Sequence, residues 1–304
     1  MAKISAVINA LNTEDSIERT LKSVGWADEI VVVDDGSTDK TLDILSELKV
    51  KSKKLKVYHH KGVGYVEPAR NFAISKASNE WILVVDTDEE ISESLVQRLE
   101  EISEKMAAIE YVEIPRKNII FGKWMKASMW WPDYNIRFFK KGQVKWSNKI
   151  HHDPEVSGQG LKLEAEEKYA IIHYHYESVS QFLERLNRYT DIQAKELMAD
   201  GVKFEWRFLL NKPLGEFLGR YFANRGFEDG LHGLTLSLLQ AFSFLVVYLK
   251  VWEIEKFTPQ DITLSQLKEE SKKGALEITY WFKYGNLSKN PFKFFLQRAK
   301  NKLV

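Results

Sequence analysis

Two clusters of acidic residues, each standing directly behind an apolar run, carry the chemistry in this sequence. The first is Asp86-Thr87-Asp88 with Glu89 and Glu90, which follows Trp81-Ile82-Leu83-Val84-Val85. Hard oxygen ligands one residue apart suit Mg²⁺ or Mn²⁺, ions that share their coordination with substrate phosphates and water. The second is Asp34-Asp35-Gly36-Ser37, which ends the run Glu29 to Val33. Asp-x-Asp is also ordinary turn chemistry, with Glu89 and Glu90 free to open a helix, so the surrounding elements decide between the readings.

Those elements form an alternation. Lys3 to Asn9 reads as a strand, and Asn12-Thr13-Glu14-Asp15 offers cap residues and early acids to a helix carrying Ile17, Leu21 and Val24. After the strand at 29–33, a helix is expected from Ser37 through Leu42, Leu45 and Leu48, then a strand from Leu55 to Tyr58. The lysines at 49, 51, 53, 54 and 56 read as a solvated edge. A loop with Gly62 and Gly64 leads to a helix with Pro68 in its first turn, then to the strand at 81–85. Ser92 caps a helix with Leu95, Leu99 and Ile102 on one face, and Tyr111 to Ile120 returns to β structure. Such spacing predicts an α/β domain with a mostly parallel sheet covered on both faces. Open sheets of this kind bind ligands beyond the carboxyl ends of their strands, where both acidic clusters would stand.

Composition narrows the class. The 304 residues are 44% hydrophobic and 29% charged, enough for a large core, and a net charge of +1 gives no global case for nucleic acid. The absence of cysteine excludes disulfides, thiolate metal sites and cysteine nucleophiles, and fits a reducing compartment. The N-terminal apolar stretch is too short and mixed for a signal peptide, so a cytoplasmic catalytic part is expected.

Beyond residue 120 come Phe121, Trp124, Trp130, Trp131 and Tyr134, a strand from Ile136 to Phe139, then Trp146 and Ile150-His151-His152-Asp153-Pro154-Glu155. Aromatic faces beside polar groups suit sugar rings, although core packing accounts for the same residues. A strand from Ala170 to Tyr174 brings His173 and His175, expected on opposite faces so that one enters the site. From Ser178 the chain is helical, with Phe182, Leu186, Tyr189 and Ile192 at helical spacing. Between Asp229 and Lys250 no Lys, Arg, Asp or Glu occurs, which predicts a buried or interfacial helix rather than a span. The last residues gather lysines beside the stripe Phe292, Phe295, Leu296, Ala299 and Leu303, a basic amphipathic pattern suited to an anionic membrane surface.

In order and spacing, DDGSTDKT, PARNFAI and DTDEE resemble family 2 glycosyltransferases of the GT-A fold. The segments WWPDYNIRFF, KIHHDPEVSG, IIHYHYES, NRYTDIQAKEL and RYFANRGFEDGLHGL are similar, more narrowly, to the branch that includes lipopolysaccharide core and related envelope-glycan transferases. The resemblance implies a nucleoside-diphosphate sugar donor, with Asp35 on the nucleobase, Asn9 and Ala10 beside it, and Arg70 near the base or diphosphate. It implies Mg²⁺ or Mn²⁺ at Asp86 and Asp88, with Asp88 the more direct ligand and His173 or His175 completing the sphere. Arg137 would face a phosphate or sugar group. Inverting transfer needs a general base for the acceptor hydroxyl. The Glu-Asp pair that many members use is absent, and Asp153, then His152, then Asp133 are the candidates in its place.

The expected organisation is a GT-A catalytic domain over 1–177, with a nucleotide-sugar half at 1–90 and an acceptor half at 91–177. A helical region over 178–304 would dock on the inner face of the cell membrane. The expected reaction is metal-dependent, inverting transfer to a lipid-linked or envelope-glycan acceptor. Three rivals stand beside it: a polyprenyl-phosphate sugar synthase, a sugar-phosphate nucleotidyltransferase, and a non-catalytic carbohydrate-binding protein on a degenerate transferase fold. The nucleotidyltransferase usually carries a glycine-rich basic N-terminal loop, and Ala6 to Thr13 has none.

Overall fold

The computed structural model describes residues 2–60, 67–146 and 154–285. Two compact units result, Met1–Ile119 with Pro132–His175 and Ile120–Trp131 with Tyr176–Val304.

In the first unit, β1 (Ile4–Ala10), β2 (Glu29–Asp34), β3 (Leu55–His59) and β4 (Trp81–Val84) are the short apolar runs expected as strands. They pair in parallel in the order β3-β2-β1-β4. Their connections are α1 (Ile17–Ser23), α2 (Thr41–Lys51) and α3 (Glu67–Lys76). The chain then forms β5 (Glu89–Glu90), α4 (Glu93–Lys105), β6 (Ile109–Ile120), β7 (Lys123–Trp124) and β8 (Asp133–Lys140). It continues with β9 (Val144–Lys145), β10 (Glu155–Val156), β11 (Gln159–Lys162) and β12 (Ile171–Tyr176). β8 joins β4 and β6 antiparallel, so the sheet is parallel over β3-β2-β1-β4 and mixed beyond it, where β11 pairs with β6 in parallel.

Period-two alternation sorts the side chains into two layers. Ile8, Ile30 and Val32 pack with Ile17 and Leu21 of α1, Leu45 of α2 and Leu95, Leu99 and Ile102 of α4. Val7, Val31, Val33, Ile82 and Val84 pack with Ala73 and Ile74 of α3 on the other face. Burial of each such side chain contributes about 1.5–3 kcal/mol. Parallel strands covered twice must read as continuous apolar runs, as these do. Ser92 caps α4 as expected, accepting the Leu95 N–H at 3.3 Å.

Two local expectations change, and one alternative falls away. α1 starts at Ile17 with no side-chain cap, and α2 starts at Thr41 rather than Ser37, because the polar residues ahead of both helices bond to one another. Glu89 and Glu90 form a short strand paired with β12, which removes the alternative in which they open a helix.

The second unit is helical: α5 (Val179–Ala199), α6 (Phe208–Leu218), α7 (Leu231–Ile254) and α8 (Leu264–Tyr284). The buried stripe of α5 is Phe182, Leu186, Thr190 and Ala194. Asp229 anchors the start of α7, its carboxylate accepting the N–H groups of Lys126 and Ala127 at 3.0 and 2.8 Å. With a mean hydropathy of 1.8, α7 is long and apolar enough to cross a membrane, and 33% of its most apolar window is buried. It buries Leu236, Ala241, Val247 and Val251 and exposes Leu231, Leu238, Phe242 and Leu249. The basic stripe at 292–303 lies outside the described residues.

Candidate active site

The register of the parallel strands brings both acidic clusters to one edge. Ala10 pairs with Asp34, Val7 pairs with Val84, and Asp35 donates its N–H to the Ala10 carbonyl at 2.9 Å. Asn9 and Ala10 therefore end β1 beside Asp35. The Asp34 carboxylate accepts the N–H groups of Gly36 and Ser37 at 3.1 and 3.2 Å, and Gly36 takes φ +98°, which favours glycine. The residues expected to cap α1 hold this turn instead. Thr38 N–H donates to Asn12 Oδ1 at 2.8 Å, Glu14 N–H to Asp39 at 3.1 Å, and Thr13 N–H to the Thr41 hydroxyl at 2.8 Å.

Asp35 itself is partly buried, and burial pushes its carboxyl above the usual aspartate range, against the opposing pull of His60. His60 Nδ1 lies 3.0 Å from Asp35 Oδ1, and its ring sits 5.0 Å from that of Phe72. Sequence reading passed over His60. Only its place directly behind β3, the strand beside β2, could have marked it.

The second cluster is a buried charge lattice. Asp86 and Glu89 exchange N–H donors, Asp86 N–H to Glu89 Oε2 at 2.9 Å and Glu89 N–H to the Asp86 carbonyl at 3.0 Å. The Thr20 hydroxyl lies 2.9 and 2.8 Å from the Thr87 and Glu89 carbonyls, tying α1 to this turn. Arg70 donates to Asp86 Oδ1 at 2.7 Å, and Arg137 donates to Asp86 Oδ2 and, at 2.9 Å, to Glu89 Oε1. Burial alone would raise the Asp86 carboxyl, but the guanidinium groups of Arg137 and Arg70 outweigh it and hold Asp86 far below the ordinary range. Burial works against the Arg137 charge, and Asp86 and Glu89 more than offset it, keeping the guanidinium firmly protonated.

A chain of polar groups extends from the lattice to Asp88. Arg116 donates to Asp133 Oδ2 at 3.0 and 2.7 Å and stands 3.6 Å from Glu89. Asn118 Nδ2 donates to the same Asp133 oxygen at 3.1 Å, and Asn135 donates to Oδ1 at 3.2 Å. This bond fixes the Asn118 amide, so its Oδ1, 2.6 Å from His173 Nδ1, must accept a proton from that nitrogen. In the neutral ring His173 Nε2 is then the accepting nitrogen, 3.3 Å from His175 Nδ1 and 3.6 Å from Asp88 Oδ2.

The expectation that His173 and His175 face opposite sides is overturned. Residues two apart on a strand share a face, and the two rings lie 4.6 Å apart. Sequence reading missed Arg116 and Asn118, which stand two apart on β6 and share a face for the same reason. β6 also carries Glu110, Glu113, Arg116 and Lys117, so nothing in the sequence set Asn118 apart before the structure placed it at 1% exposure.

The donor set bears on a metal ion. Both Asp86 oxygens are engaged by arginines, and Asp88 Oδ2 lies 3.6 Å from His173 Nε2. A carboxylate oxygen beside a neutral imidazole nitrogen is a pair of ligand types that Mg²⁺ or Mn²⁺ accepts, so the residues fit such an ion. No cluster of three His, Cys, Asp or Glu side chains able to hold a metal occurs among the described residues, so an ion there would draw its other ligands from phosphates and water. Asp153 and His152 lie outside the described residues.

The profile described as Glycosyl transferase family 2 matches residues 5–168. An uncharacterized glycosyltransferase of Rickettsia typhi is 31% identical over 264 residues, covering 84% of this chain and 88% of that protein. The lipopolysaccharide core biosynthesis glycosyltransferase LpsC of Rhizobium meliloti is 22% identical over 254 residues, covering 82% and 92%. Among solved structures, the chain is similar to the mannosyltransferase PcManGT from Pyrobaculum calidifontis in complex with GDP-Man and Mn²⁺. That likeness has a TM-score of 0.47 and 13% identity, covering 99% of this chain and 87% of that one. It is also similar to S. aureus TarS 1-349 in complex with UDP, with a TM-score of 0.45, 19% identity and 86% and 94% coverage. The mixed sheet with flanking helices has the GT-A arrangement, and the chain belongs to glycosyl transferase family 2.

Proposed function

We propose that the protein is an inverting, metal-dependent glycosyltransferase that moves a sugar from a nucleoside-diphosphate donor to a lipid-linked or cell-envelope glycan acceptor. The observation that carries this reading is the convergence, at the carboxyl ends of β1, β2 and β4, of Asp35 with the lattice of Asp86, Asp88, Arg70, Arg137 and His173. Asp35 accepts the nucleobase N–H beside Asn9 and Ala10, with His60 holding its other oxygen. Asp88 and His173 hold Mg²⁺ or Mn²⁺. When bound, the ion stabilises the negative charge that grows on the departing diphosphate. Asp86 aims Arg70 and Arg137 at the donor, a task suited to the planar guanidinium.

The acceptor hydroxyl loses its proton to Asp153, with His152 the second choice. Asp133 does not serve as the base in this reading, because its oxygens are engaged by Arg116, Asn118 and Asn135. Its role is to fix Asn118 and, through it, His173. The similarity to a lipopolysaccharide core transferase supports an envelope-glycan acceptor. The exposed apolar stripe of α7 supports docking on the cytoplasmic face of the membrane.

The test is release of nucleoside diphosphate from a panel of nucleotide sugars with Mn²⁺ and a bacterial envelope-lipid extract as acceptor. Asp88→Ala should lose turnover at least 100-fold with unchanged melting, and near-normal turnover would sink the metal site. Asp153→Ala should bind donor and fail in transfer. Retained transfer would favour a lipid phosphate acceptor, which needs no strong base.

A further inference from the structure

The last described helix, α8, is secured at its start and uncovered along its length. Thr263 and Gln266 cap each other, Thr263 N–H donating to Gln266 Oε1 at 2.9 Å and Gln266 N–H to the Thr263 hydroxyl at 3.2 Å. Yet α8 buries none of its residues. Lys268, Glu269, Glu270, Lys272 and Lys273 charge its first half, and after Glu277 the sequence turns apolar and aromatic. There Leu276, Tyr280 and Phe282 are 71%, 57% and 69% exposed. Large apolar side chains gathered in water at one helix end mark a contact surface.

The rings continue into the rest of the helical unit. Phe222, in the π-helical turn Gly219–Ala223 that follows α6, lies 6.2 Å from the Trp281 ring and 5.1 Å from that of Phe282. Tyr221 beside it packs 5.4 Å from Phe217 and 6.2 Å from Phe227. Tyr280 and Tyr284 lie 5.0 Å apart. Of these rings Phe222 alone is buried, so the cluster is a surface rather than a core. Tyr, Trp and Phe rings settle at the headgroup level of a bilayer, where the ring is in apolar surroundings and its polar tip stays wet.

Charge selects the lipid. Arg220 and Arg225, close to the cluster, are bonded to Glu216 and Glu228, which cancels them locally. After Glu277 no Asp or Glu follows, whereas Lys283, Lys289, Lys293, Arg298, Lys300 and Lys302 do. A positive segment with no acid of its own thus continues from the aromatic end of α8. Such a segment beside an apolar anchor is drawn to anionic headgroups. A second copy of this chain would bring the same positive segment with it, which disfavours self-association there. The charges in the first half of α8 suit a helix that lies in the interface and not one that spans it.

We infer that the aromatic end of α8 is an interfacial anchor for an anionic phospholipid bilayer, with Leu276, Tyr280 and Phe282 entering the headgroup level and the basic segment holding the acidic headgroups. The inference rests on the membrane-docking part of the proposed function and gives it a contact surface and a lipid charge.

Cosedimentation of the full chain with phospholipid vesicles tests it without nucleotide or turnover. Binding to phosphatidylcholine vesicles containing phosphatidylglycerol should be about tenfold tighter or more than to phosphatidylcholine alone, and should weaken as salt rises. Tyr280→Ser combined with Phe282→Ser should lower that binding about tenfold with unchanged melting, because both rings are exposed, and Tyr280→Trp with Phe282→Trp should retain it. Leu276→Ser should lower it as well, which separates loss of the anchor from a fold defect in the double variant. Vesicle binding unchanged in both the double variant and Leu276→Ser overturns the anchor and leaves docking to α7. Equal binding to both vesicles overturns the lipid selection, and binding to neither overturns the docking reading as well. Self-association in sedimentation velocity that the double variant abolishes, without vesicle binding, would assign the surface to a second copy and overturn the inference. Failure of the glycosyl-transfer reading shows separately, as a protein whose melting no nucleoside diphosphate shifts.

Discussion

Replacing Arg137 by methionine removes the cation that lies between two carboxylates. Glu89 is fully buried, and without Arg137 it keeps, among the described residues, only the Asp86 N–H at 2.9 Å and Arg116 at 3.6 Å. Breaking a buried ion pair by deleting one partner costs about 3–5 kcal/mol, because the other charge stays uncompensated. Methionine fills most of the volume, so the loss is chiefly electrostatic. Against a total stability of about 5–15 kcal/mol this is a large fraction, and it should appear as a lower guanidinium midpoint followed by tryptophan fluorescence. Arg137→Met combined with Glu89→Gln removes both charges. The double variant should recover about 2 kcal/mol relative to the sum of the single losses. A single variant within 0.5 kcal/mol of wild type, or strictly additive losses, would refute the claim that this lattice is held by Arg137.

Other consequences are equally direct. Glu29 is buried, which alone would raise its carboxyl, yet bonds from Lys56, Ser5 and Ser78 hold it at about 2 against an ordinary 4.5. A carboxyl lowered in the folded state contributes stability above pH 4.5, about 3 kcal/mol here, and that contribution fades as pH falls toward 2. Glu29→Gln should flatten the stability profile across this window, and an unchanged slope would contradict the assignment. Asn118→Leu should release the His173 tautomer, visible in ¹⁵N shifts, and weaken Mn²⁺ binding measured by electron paramagnetic resonance about 10–100-fold. An unchanged tautomer and affinity would leave Asn118 with a packing role alone. A Cβ at Gly233 would stand 1.8 Å from the Gly226 carbonyl oxygen, so Gly233→Ala should destabilise the helical unit by roughly 3 kcal/mol in a melt. A neutral result there would mean that this close approach relaxes freely.

The parallel half of the sheet was legible because its strands are short apolar runs, bounded by turn residues and alternating with segments of helical period. The same runs fixed where the acids at 34–35 and 86–88 would stand, at strand ends brought level by register. What could not be read was the wiring between distant residues. Arg137 meets Asp86 across 51 positions, and Asn118 meets His173 across 55. No spacing rule reaches so far. Asn12 and Glu14 were misread for a related reason: a polar residue before a helix can cap that helix or bond to a neighbouring loop, and only the packing of β1 against β2 decides. The histidines at 173 and 175 needed no structure, since strand periodicity already sets them on one face.

The central claim is a donor site built from Asp35 and from the pair Asp88 and His173. Its most direct test is the melting temperature of the wild-type protein with a panel of nucleoside diphosphates, each with and without Mn²⁺, beside Asp88→Ala. A ligand that binds only the folded state stabilises it in proportion to the logarithm of its concentration over Kd. The account predicts that at least one nucleoside diphosphate raises the melting temperature, that Mn²⁺ enlarges the rise, and that Asp88→Ala loses the Mn²⁺-dependent part. A folded wild-type protein that no nucleoside diphosphate stabilises, with or without Mn²⁺, would contradict it.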